Sequence, residues 1–81
     1  MNQAVFVERR SRTWEELDAL LRRVERRGMR RLAPSEIDEL GRLYRAATSD
    51  LAYAQGRGYD RALLEYLNRS VARAHGHVYS R

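Results

Sequence analysis

The stretch PSEIDELGRLYRAATSDLAYAQ, residues 34–55, decides the fold. Its apolar or small residues fall at Ile37, Leu40, Tyr44, Ala47, Leu51 and Ala54. The spacings alternate between three and four, which draws one stripe down a helix and fits no strand. Pro34 suits the first helical turn, where its missing N–H would be unpaired in any case. Glu36, Asp38 and Glu39 set negative charge at the positive end of the helix dipole. Gly56 and Gly58 read as its stop. At about 1.5 Å per residue the helix is roughly 33 Å long.

The pattern repeats on both sides. After Gly58-Tyr59-Asp60, Asp60 reads as an N-cap, and Leu64, Leu67, Val71, Ala74 and Val78 continue the three-four alternation. This predicts a third helix over about 61–77. Upstream, Thr13 and Glu16 have capping-box spacing. Trp14, Leu17, Leu20, Leu21 and Val24 follow as an apolar face, closed by Gly28. The phase also extends backwards through Val7 and Phe6, so a helix over about 3–27 is predicted, with a kink allowed near Ser11–Thr13. The links 28–33 and 56–60 are short, and short links between long helices make antiparallel neighbours. The expectation is a single all-α domain over 1–81, an antiparallel three-helix bundle with long helices.

Composition agrees. With 81 residues the chain suffices for one domain. It has one proline, five glycines and no cysteine, so disulfides and thiolate metal sites are excluded. No apolar run approaches the roughly 20 residues of a membrane span. MNQAVFVERR at residues 1–10 lacks the apolar core of a signal peptide. These features lead to the expectation of a water-soluble, intracellular-type domain.

Residues for chemistry are sparse. The two histidines, His75 and His77, sit two apart on a predicted helix, about 200° around it, so they cannot jointly hold a metal. Glu15, Glu16, Asp18 and Glu25 lie on the outer face of the first helix among arginines, where solvated ion pairs are the ordinary outcome. Gln55-Gly56-Arg57-Gly58 is a helix–helix turn and not a phosphate loop. No enzyme, metal or cofactor is expected.

Charge is the stronger signal. The net charge is +5, and all sixteen basic residues are arginine. Residues 1–31 sum to +4, 32–50 to −2 and 51–81 to +3. Arg22, Arg23, Arg26, Arg27, Arg30 and Arg31 crowd into ten positions with only Glu25 opposing them. Such a cluster offers bidentate contacts to phosphate or carboxylate, which makes it a candidate surface for an anionic partner, either a lipid headgroup or nucleic acid. Codon bias toward arginine and a solvated face at the helix C-terminus are the plain alternatives. A second feature is Asp50, a poor helix former in mid-helix. Read from the hairpin of the second and third helices, it faces 66–69 and pairs with Asn68, Arg69 or a tyrosine hydroxyl to set register. Val5, Met29 and Leu32 are left over as apolar residues through which a homo-oligomer could form.

Phe6-Val7-Glu8-Arg9-Arg10, Trp14-Glu15-Glu16-Leu17, Glu39-Leu40-Gly41-Arg42-Leu43-Tyr44-Arg45, Asp50-Leu51-Ala52-Tyr53-Ala54 and Tyr66-Leu67-Asn68-Arg69-Ser70-Val71-Ala72-Arg73-Ala74-His75 together resemble the start of the stage II sporulation protein M family. That resemblance implies the cytoplasmic helical region preceding the transmembrane helices of a non-enzymatic membrane scaffold, which localises protein partners. This chain stops at Tyr79-Ser80-Arg81, about where the membrane part would begin. It therefore reads either as an excised domain on the cytoplasmic face of a membrane or as a freestanding cytoplasmic relative. A nucleic-acid-binding helical module is the competing expectation. Against it, the third helix lacks a dense Arg/Asn/Gln face for reading base edges.

Overall fold

The computed structural model describes residues 1–79. Three α-helices follow one another: α1, Gln3–Arg27; α2, Pro34–Arg57; and α3, Arg61–Val78. A single 3₁₀ turn, Met29–Arg31, lies between the first two. They form an up-down-up bundle measuring 39 × 20 × 17 Å. The long axis is about the length of α1 at about 1.5 Å per residue.

The helix ends show why the elements stop where they do. Asn2, not Thr13, caps α1, and its side chain accepts the N–H of Val5. Thr13 lies inside an uninterrupted helix, so the Thr13–Glu16 spacing opens nothing, and the helix runs through Ser11–Thr13. Glu36 reaches back to accept the N–H of Ala33 at 2.9 Å, which ties down the first turn of α2. That helix runs through Gly56 and ends at Gly58, in the left-handed region at φ 67°, ψ 36°. The N–H of Tyr59 bonds to the carbonyl of Ala54, closing a Schellman turn. Asp60 precedes α3 without capping it through its side chain. Its carboxylate instead accepts from the Gln3 side-chain Nε2 at 3.2 Å, and its own N–H donates to the Gln3 side-chain Oε1 at 2.8 Å.

The buried stripes are cleaner than the sequence suggested. Along α2 the buried positions are Leu40, Leu43, Ala47, Asp50, Leu51 and Ala54. Ile37 is exposed and Tyr44 half-buried, so the true stripe lies to one side of the expected one. Two hydrophobic clusters result. One is mostly aliphatic, around Leu17, Leu21, Val24, Leu40 and Leu43. The other holds Phe6, Trp14, Leu51, Ala54 and Leu67 beneath a ring of tyrosines. Leu32 is buried in its own bundle and Met29 packs against the aliphatic cluster. Two of the three residues expected to be left over for self-association are therefore used internally.

Candidate functional site

Each of the two sequence features singled out for function lies in a different half of the bundle. Asp50 is 8% exposed on the buried stripe of α2, and its partners come from α1, not α3. The Arg10 Nε–H donates to both carboxylate oxygens at 3.0 and 2.9 Å, and the Trp14 indole N–H donates to Oδ2 at 2.8 Å. The expected pairing with Asn68 or Arg69 does not form, and both of those side chains are exposed. The physical reason is the phase of the stripe. Asp50 shares the buried stripe of α2 with Leu43, Ala47 and Ala54 and meets α1 there, whereas Asn68 and Arg69 lie exposed on α3. A signal for the true partner was present. Val7, Arg10, Trp14, Leu17, Leu21 and Val24 keep three-four spacing, so Arg10 sits on the apolar stripe of α1. Opposite charges on two buried stripes must meet or remain expensively unpaired.

The arginine cluster divides into two groups. Arg22 pairs with Asp18 at 3.0 Å, and Arg23 pairs with Glu36. Among the described residues, Arg26, Arg27, Arg30 and Arg31 have no carboxylate within 4.0 Å. All four are exposed, and Arg26, Arg27 and Arg31 line a concavity of about 480 Å³. Two local devices gather them. Gly28, at φ 83° and ψ 159°, takes a conformation essentially restricted to glycine and turns the chain back. Buried Leu32 then anchors the far side of the 3₁₀ turn in the core. Arg30 and Arg31 are thus held on a fixed loop beside the last turn of α1.

Arg73 of α3 binds the acids of α1 near this end. Its guanidinium spans α1, donating to Asp18 at 2.9 Å and to both oxygens of Glu25 at 3.0 Å. The hydrogen bond from Arg73 holds the Glu25 carboxyl below its ordinary range, and the same contacts push the Arg73 guanidinium further up. The acid nearest the cluster is therefore engaged elsewhere. The clamp also brings the C-terminal turn of α3 to the arginine end, where His77 Nε2 lies 3.9 Å from Glu25. His75 points elsewhere, its ring 4.8 Å from that of Tyr79 and 6.2 Å from that of Tyr44. Among the described residues no group of three or more His, Asp or Glu side chains is placed to hold a metal ion. Among them, no helix is long and apolar enough to cross a membrane.

Fold and surface together define an all-α three-helix bundle carrying a preformed basic end. The chain belongs to the family described as Domain of unknown function (DUF8413), whose model matches residues 4–80. No curated protein and no solved structure matches it.

Proposed function

We propose that this domain is a non-catalytic interaction module of a bacterial membrane scaffold, docking through its arginine end on the anionic surface of the cytoplasmic leaflet. The observation that carries this reading is the exposed set Arg26, Arg27, Arg30 and Arg31, which meets no carboxylate among the described residues, at the end where α3 finishes. A membrane segment following α3 would hold these arginines at headgroup level, in keeping with the positive charge that flanks cytoplasmic membrane ends. The resemblance to stage II sporulation protein M supports the membrane part of the proposal, and the family match adds no function of its own. Each basic residue near an anionic leaflet contributes about 1 kcal/mol. Four together amount to about 4 kcal/mol, roughly a thousandfold in partitioning.

Co-sedimentation of the full chain with phosphatidylglycerol vesicles, beside phosphatidylcholine vesicles, tests this. The expected result is binding to the anionic vesicles only, weakened by salt and lost when Arg26, Arg27, Arg30 and Arg31 are all changed to Gln. Equal binding to neutral vesicles, or full binding by the quadruple variant, defeats the proposal. A salt-dependent shift of a DNA fragment without vesicle binding would transfer the cluster to the nucleic-acid reading.

A further inference from the structure

The Arg10–Asp50–Trp14 cluster does more than close the core. Asp50 accepts from the Nε edge of the Arg10 guanidinium and from the Trp14 indole, so both its oxygens are occupied. Among the described residues, the Nη1 and Nη2 groups of Arg10 make no hydrogen bond to protein. The Arg10 side chain is 32% exposed. It opens into a groove of about 370 Å³, lined also by Met1, Phe6, Ala46, Ser49, Asp50 and Tyr53. The walls of this groove are aromatic. Phe6 is buried and stacks on Tyr53, with centroids 5.1 Å apart and planes 26° from parallel, and the Tyr53 ring itself is 37% exposed. The Arg57 guanidinium lies 5.8 Å over the Tyr53 ring, which adds a positive charge beside this wall.

A guanidinium held through its Nε–H leaves its two Nη groups to present a two-donor fork. That fork matches a carboxylate bidentately, and little rotamer freedom is left to lose when it binds. The apolar wall alongside favours a hydrophobic group next to that carboxylate. The groove is open along the helices, so an extended segment can cover more of it than a small molecule can.

We infer that this groove is a docking site for an acidic segment of a partner protein, in which an Asp or Glu carboxylate engages the free fork of Arg10 and a neighbouring apolar side chain covers Phe6 and Tyr53. The site lies in the half of the bundle away from Arg26–Arg31 and does not depend on membrane binding.

The test is a titration of ¹⁵N-labelled full chain with the acetylated, amidated tripeptide Leu-Glu-Leu and, separately, Leu-Gln-Leu. The Arg10 Nε–H and Trp14 indole N–H resonances, both on Asp50, are the reporters. The expected result is saturable movement of both with the Glu peptide and at least tenfold weaker response to the Gln peptide. Ala46→Glu places a carboxylate on a half-exposed wall position without a helix penalty, and should weaken the Glu peptide at least tenfold at an unchanged Tm. Tyr53→Ser should weaken it independently by removing the ring. Equal responses to the two peptides would overturn the inference, as would indifference to both variants. Shifts confined to Arg26–Arg31, or an equal response of the reporters to inorganic phosphate, would overturn it as well.

Discussion

The two ends of the bundle are held by different physics. At the end where α2 passes to α3, side chains far apart in sequence are joined by directional bonds: Arg10 and Trp14 to Asp50, Gln3 to Asp60, and Tyr59 and Arg57 to the carbonyl of Met1. Aromatic rings fill the space between them, with Phe6 meeting Trp14, Tyr53 and Tyr59 at 5.1–5.6 Å. At the end where α1 passes to α2, the interior is aliphatic, and the ion pairs lie on its outside. Directional bonds specify one arrangement, whereas aliphatic packing tolerates several. The contrast suggests that register is set at the aromatic end, while the aliphatic end supplies stability and leaves its outer arginines free to meet other molecules.

This comparison can be broken in a definite order. Leu17→Ala or Leu21→Ala removes a side chain with no exposed surface from the aliphatic half, and each should cost about 3 kcal/mol. Denaturant unfolding followed by circular dichroism measures that loss. A drop below about 1 kcal/mol would mean that the aliphatic half collapses around the gap. Asp50→Ala should cost about 2–3 kcal/mol because it strands the indole N–H and leaves Arg10 unpaired at the core edge. Asp50→Asn should cost less, since its carbonyl can still accept from Trp14. Indole N–H exchange should quicken in the alanine variant and only slightly in the asparagine variant. Gly58→Ala strains a left-handed position with open space around it, so the cost of about 1 kcal/mol is purely conformational.

The smallest effects belong to the charged exterior. Bonds from arginines and from Ala33 hold Glu25, Glu36 and Glu39 below the ordinary carboxylate value of 4.5. Depressed carboxyls contribute stability that is present above 4.5 and lost as pH falls through their lowered values. A plot of unfolding midpoint against pH should therefore be flat through neutrality and decline below about 4.5. Changing Arg26, Arg27, Arg30 and Arg31 to Gln should move stability by less than about 0.5 kcal/mol, since none holds a carboxylate. A large loss would make the cluster structural and erase the distinction between the two ends.

Helix extents were legible because period carries them. The alternation of threes and fours runs through 34–55 and 61–77, and the observed helices exceed those bounds by one or two residues. Caps were legible only in part. Thr13-x-x-Glu16 has the spacing of a start signal, but the same letters occur inside a helix whenever the flanking stripe continues. Asn2, just before the stripe begins, is the better clue. Asp50 stands out for its residue type, yet one hairpin alone does not place its partner. In a three-helix bundle every stripe faces two neighbours, and sequence periodicity does not say which neighbour a polar residue meets. The charge on the stripe of α1 at Arg10 would have decided it. The division of the six arginines was legible only in part: Asp18 and Arg22 have i,i+4 spacing, whereas the Arg23–Glu36 pair crosses from α1 to α2.

The two-point bond between Gln3 and Asp60 has a consequence for how the chain is made. The first turn of α1 and the start of α3 are 57 residues apart, and neither contact can form until Asp60 has left the ribosome. The helix made first is thus completed late. α1 and α2 meet through Leu17, Leu21, Leu40 and Leu43, but the arginine end also needs Arg73 and Ala74 of α3, so both ends wait for the third helix. A domain generally folds as a unit. The surface offered to anions and the groove at Arg10 therefore take shape together, once α3 has emerged.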